Sequence, residues 1–180
     1  MEAGAFALTG VGALPNASLA FPGEHWSDRV ASGAIKPGTA IVPAGSASSR
    51  GQMLMKTASN SETADRVALA LRTVDHPDPT NVLGPNEIVN QDIANGEYVH
   101  AYYSGGFHLT LVTPASYVPG DRVGWDADGA RPAGKGGGTG AWAKNASADV
   151  DDIFEVVLWR PVNAQNEGIL TVRFLGRTQA

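Results

Sequence analysis

Glycine and proline leave this chain few places to run straight. Its 180 residues include 22 glycines and 11 prolines. Both interrupt regular structure, one for want of a Cβ and the other for want of a backbone N–H. Between them lie short runs rich in β-branched and aromatic side chains. The clearest spans Glu97 to Thr113, where two such runs flank Ser104-Gly105-Gly106 and read as a β-hairpin. Further strands are expected at Thr39–Val42 after the Lys36-Pro37-Gly38 turn, at Gln52–Thr57, at Arg122–Asp126 after Pro119-Gly120-Asp121, and at Ile153–Arg160 and Gly168–Leu175. Arg66–Val74 is ambiguous, because Glu62–Leu71 also suits a helix. The alternation of Val67, Leu69 and Leu71 with Ala68, Ala70 and Arg72 favours a strand. Glu24–Ser32 is expected to be a short helix ending at Gly33. Pro43–Ser49, Asn81–Gly96 and the glycine-rich Ala127–Gly140 are expected to be loops or connections.

Short strands with frequent turns predict an all-β fold, a small β-barrel or β-sandwich with long loops. Residues 1–24 lack a sustained period of 2 or 3.6 and read as an extended N-terminal arm, with one short strand conceivable at Phe6–Thr9. Residues 25–180 form the β-rich domain. No repeat of fixed period is present.

Composition removes whole classes of function. Charged residues are only 17% of the chain and the net charge is −5, which speaks against general nucleic-acid binding. No apolar run approaches the length of a membrane-spanning helix, and Met1–Leu8 lacks the basic start of a secretory signal. With no cysteine, disulfides, thiol catalysis and Cys-ligated zinc are impossible.

Several stretches invite chemistry and fall short of it. Gly129–Lys135 matches most of a phosphate-binding loop, but Gly136 stands where a magnesium-holding hydroxyl belongs, and nothing after it starts a helix. His100 and His108 flank the expected hairpin turn and would face each other across it. A zinc site needs further ligands, and Asp121, Asp126 and Asp128 follow no recognised spacing. Ser104 sits in turn chemistry rather than a nucleophile elbow. Asp151, Asp152 and Glu155 read as solvated charge rather than a glycosidase pair. Asn16-Ala17-Ser18 and Asn145-Ala146-Ser147 match the glycosylation sequon without a secretory context. No enzyme, metal or cofactor is therefore expected. Of the tryptophans, Trp125 and Trp159 lie in strand patterns and belong in the core. Trp142, beyond the glycine loop, is the better candidate for an anchor into a partner.

One stretch resembles a known family. Val118-Pro119-Gly120-Asp121-Arg122-Val123-Gly124-Trp125-Asp126, then Gly129-Ala130-Arg131-Pro132, the glycine-rich loop, and the paired runs Ile153–Trp159 and Gly168–Leu175 together resemble tailed-phage capsid decoration, or cement, proteins. Lys36–Val42 has the same turn-then-strand form. The resemblance covers less than half of the chain. It implies a small β-rich structural protein with no catalytic residues, a homotrimer bound to the major capsid protein on the outside of the virion and assembled in the host cytoplasm. The expected partner-binding residues are Phe6, Leu8, Leu14 and Phe21 of the arm, with Trp26 and Trp142. A phage tail-tube or head–tail protein and a carbohydrate-binding β-domain are the alternatives.

Overall fold

Alternation of large and small apolar side chains decides the architecture. The computed structural model describes residues 14–72, 90–136 and 138–175. Its strands are β1 (Ala17–Phe21), β2 (His25–Ala31), β3 (Ala40–Ala47), β4 (Met53–Thr57), β5 (Ala68–Leu71), β6 (Tyr98–Tyr102), β7 (Gly106–Leu109), β8 (Arg122–Ala130), β9 (Thr139–Lys144), β10 (Val150–Pro161) and β11 (Gly168–Phe174), with single 3-10 turns at Ala64–Arg66 and Asn145–Ser147. The fold is all-β. Strands β2-β4-β3-β5-β6 close into a barrel, and β1-β7-β11-β10-β8-β9 form an open sheet. The sheet pairs are all antiparallel, whereas β2 and β4 run parallel in the barrel.

Strands β3 and β5 are buried on both faces. Ile41, Ala68 and Ala70 point into the barrel with Ala31, Met55, Val99 and Ala101. Ala40, Val42, Val67 and Leu69 point the other way, into a core shared with Phe107, Trp125, Trp142, Phe154 and Leu170 of the sheet. A barrel of only five strands has a narrow interior, so alanines suit its inside while larger side chains fill the seam against the sheet. Two indoles tie the seam together. Trp125 Nε1 donates to Ala58 O at 3.1 Å, and Trp142 Nε1 donates to Gly38 O at 2.7 Å.

The structure bears out the strands at Thr39–Val42, Gln52–Thr57, Arg122–Asp126, Ile153–Arg160 and Gly168–Leu175 to within a few residues, and resolves Arg66–Val74 as strand β5 over Ala68–Leu71. Other expectations are corrected. Glu24–Ser32 is not a helix: His25–Ala31 is β2, paired with β6 and β4, because tertiary pairing overrides a weak local preference. Glu97–Thr113 is not a hairpin. Strand β6 pairs with β2 and β5 in the barrel, while β7 pairs with β1 and β11 in the sheet. Ser104 and Gly105 carry the chain from one body to the other, beside Gly23, where it crosses in the opposite direction. A Cβ on Gly23 would lie 2.0 Å from Ser104 O, so the two crossings touch only because Gly23 has no side chain. Strand β3 runs on to Ala47, through the stretch expected to be a loop, and β8 extends to Ala130 and β9 begins at Thr139, so both ends of the expected glycine-rich loop are strand.

The arm expected over residues 1–24 is also revised. Phe6, Leu8 and the conceivable strand at Phe6–Thr9 lie outside the described residues. Ala17–Phe21 is an integral strand of the sheet, with Ala17 opposite Leu109 and Leu19 opposite Phe107. Residues 14–16 are held too. Asn90 Nδ2 and the Lys135 ammonium both donate to Leu14 O, Thr110 Oγ1 donates to Pro15 O, and Asn16 Nδ2 donates to Pro37 O. Position 25 is therefore no boundary between arm and domain.

Candidate functional site

Two neighbouring features of the surface stand out, a strand edge and a cleft. Strand β1 is the first strand of the open sheet and, among the described residues, pairs only with β7. It leaves a row of backbone groups without strand partners, a template for pairing with another chain. Leu19 and Phe21 on this strand are 47% and 48% exposed. The Phe21 ring packs on Gly106, where any Cβ would meet Cδ2 at 2.0 Å, so the absence of a side chain there makes room for the ring.

Past Phe21 the chain turns into β2 and borders a cleft of about 630 Å³ between barrel and sheet. Glu24, Trp26, Arg29, Met53, Asp65 and Arg66 are among the residues that line it. Trp26 is 46% exposed. The Arg29 guanidinium carbon sits 4.8 Å from the centre of the Trp26 ring, while Nη1 donates to Asp28 Oδ1 at 2.9 Å. This cation–π contact and ion pair fix the plane of the indole. Arg29 Nε is buried and makes no hydrogen bond. Arg66 is loosely held by Glu62 at 3.8 Å.

The predicted partner residues are scattered by the fold. Phe21 and Trp26 are exposed beside each other's ends of one connection. Leu14 is half-buried, and its carbonyl is consumed by Asn90 and Lys135. Trp142 is no partner anchor: it is fully buried, packed edge-on against Trp125 at 5.1 Å and Phe154 at 4.7 Å. Its setting after a glycine loop and between alanines suggested a protruding ring. Those small neighbours instead make room for two indoles, since a Cβ on Gly140 would meet Trp125 Cζ2 at 2.8 Å.

The groups that invited chemistry are also dispersed. His100 does not face His108. It stacks on His25, with ring centres 5.6 Å apart, and His108 Nδ1 lies 2.9 Å from Thr171 Oγ1. Asp121 binds the Lys144 ammonium at 2.7 Å, and that hydrogen bond holds its carboxyl below the usual range. Burial pushes the Asp126 carboxyl the other way. Glu155 is shared by Arg122 and Arg173, and Asp152 is bonded to Asn145. No group of three or more His, Asp or Glu is placed to hold a metal ion among the described residues. Lys135, in the phosphate-loop-like stretch, points inward rather than toward solvent, only 4% exposed. Asn16 of the first sequon is buried with its amide bonded to Pro37 O.

Sequence reasoning missed Leu19 and the cleft. Leu19 lies on a short strand among small residues that gave no period. The cleft joins β2 to segments around Met53 and Asp65 through a parallel barrel pairing that no local pattern announces. Comparison of the chain with protein-family models, with curated proteins and with solved structures finds no match.

Proposed function

We propose that this chain is a structural virion protein that binds the outer surface of a tailed-phage capsid and ties neighbouring capsid subunits together as a homotrimer. The observation that carries this reading is β1, a strand whose outer edge is open among the described residues and which bears two half-exposed apolar side chains, Leu19 and Phe21. Unprotected edges are a liability that soluble proteins usually blunt with charge or cover. An edge bearing Leu and Phe is suited to pairing with a strand of another subunit, where main-chain hydrogen bonds supply affinity and side chains supply selectivity. The family resemblance of Val118–Asp126 and of the Ile153–Leu175 strand pair points to the same class of partner, and the β10–β11 pairing suits it, with Trp159 opposite Leu170 and Phe154 opposite Phe174.

The test is co-sedimentation with purified expanded capsids, stripped of their outer proteins, from the phage that encodes the chain. The wild-type protein should pellet with saturable occupancy. Leu19→Asp, an exposed change, should leave the circular dichroism spectrum intact and weaken binding by at least about tenfold, as a charge in a desolvated interface does. Native mass spectrometry should give a trimer free or on the particle. Wild-type protein that stays in the supernatant, or a monomer in both settings, overturns the proposal.

A further inference from the structure

We propose that the cleft beside Trp26 is a binding site for a neutral oligosaccharide, with the indole as its stacking platform. Trp125 and Trp142 are fully buried, and Trp159 is half-buried with its ring 5.1 Å from Tyr117. Trp26 alone of the four tryptophans lies open, and it does so in a concave site. Its 630 Å³ volume falls inside the roughly 300–1,000 Å³ range of small-molecule sites. Arg29 covers one face of the ring at 4.8 Å and fixes its plane. A half-exposed indole held in this way can pack against the C–H face of a sugar ring with little loss of side-chain freedom on binding.

The polar groups around the indole select the ligand class. The cleft is lined by two carboxylates, Glu24 and Asp65, and two guanidiniums, Arg29 and Arg66. Among the described residues, neither Glu24 nor Asp65 makes an ion pair, so both remain available as acceptors. A strongly charged ligand of either sign would meet like charge on half of this lining. Hydroxyl groups both donate and accept, so a polyol satisfies the carboxylates and the guanidiniums together. Met53 adds apolar surface alongside the ring. A charged peptide is the less suitable occupant.

The test is isothermal titration of the full chain with a panel of neutral malto-, cello-, chito-, manno- and galacto-oligosaccharides, trimers to hexamers. At least one should give saturable heat with a dissociation constant at or below about 10 mM. The same sugar should shift the tryptophan emission of the wild-type protein. Trp26→Ala should weaken binding at least about tenfold with an unchanged melting temperature, and Asp65→Asn should weaken it about threefold through loss of one charged acceptor. No saturable heat from any panel member overturns the proposal, as does binding that survives Trp26→Ala. Leu19→Asp, the change that weakens capsid binding, should leave sugar binding intact, because Leu19 does not line the cleft, so the two readings fail separately.

Discussion

Trp142→Ala should lower the unfolding free energy by about 3–5 kcal/mol, the usual cost of removing a buried indole. A domain of this kind commonly has only about 5–15 kcal/mol in hand, so the variant should be marginal at room temperature. Two effects combine. The ring lies between Trp125 and Phe154 at the seam of barrel and sheet, and closely packed surroundings refill such a void only in part. Its Nε1–H also satisfies Gly38 O at 2.7 Å, so truncation leaves a buried carbonyl short of a donor. Trp142→Phe separates the two, keeping most of the volume and losing the hydrogen bond, at a cost of about 1–2 kcal/mol. Urea denaturation read by circular dichroism gives both values. A loss below about 1 kcal/mol for Trp142→Ala would place the ring outside the core and restore it as a surface anchor.

That reversal over Trp142 shows which parts of the molecule its sequence discloses. Strands β10 and β11 are legible because both are rich in β-branched and aromatic residues and the Pro161–Glu167 stretch separates them. The two-faced burial of β5 is legible as well, since large Val67, Leu69 and Leu71 interleave with small Ala68 and Ala70. Partner choice is not legible. Ser104-Gly105-Gly106 has the chemistry of a hairpin turn, and the same chemistry serves a chain that leaves a barrel and enters a sheet. What distinguishes the two is the contact of that connection with Gly23, some eighty residues earlier in the chain. The candidate surfaces share this property. Phe21 could be singled out as an apolar residue in a segment lacking periodicity, and Trp26 as an aromatic residue just beyond it. The cleft around Trp26 needed β4 and the Ala64–Arg66 turn to be brought alongside, which local pattern does not encode.

Between pH 8 and pH 10 the protein should become more stable as the pH rises, by at most about 3 kcal/mol. The source is Lys135. Its ammonium is buried, bonded to Leu14 O, and close enough to Lys36 to feel its charge. Burial first, then Lys36, pushes its pKa from 10.5 down to about 8. The sign follows from proton counting. In this window the unfolded chain keeps the Lys135 proton and the folded chain has released it. Unfolding therefore takes up a proton and becomes harder as protons become scarce. Below pH 8 both states are charged and the full cost of burying the ammonium is borne. Above pH 10 the trend should reverse, because burial raises the pKa of Tyr102 and of Tyr117 and keeps both hydroxyls protonated in the folded state after the unfolded chain has lost those protons. Lys36, whose charge Lys135 feels, is itself paired with Asp92 at 3.0 Å. Lys135→Met should flatten the profile between pH 8 and pH 10 and raise stability at pH 7, since Asn90 Nδ2 still satisfies Leu14 O at 3.0 Å. Urea midpoints across this range in both proteins are the measurement. A flat wild-type profile, or an unchanged slope in Lys135→Met, would mean that the ammonium is solvated rather than buried.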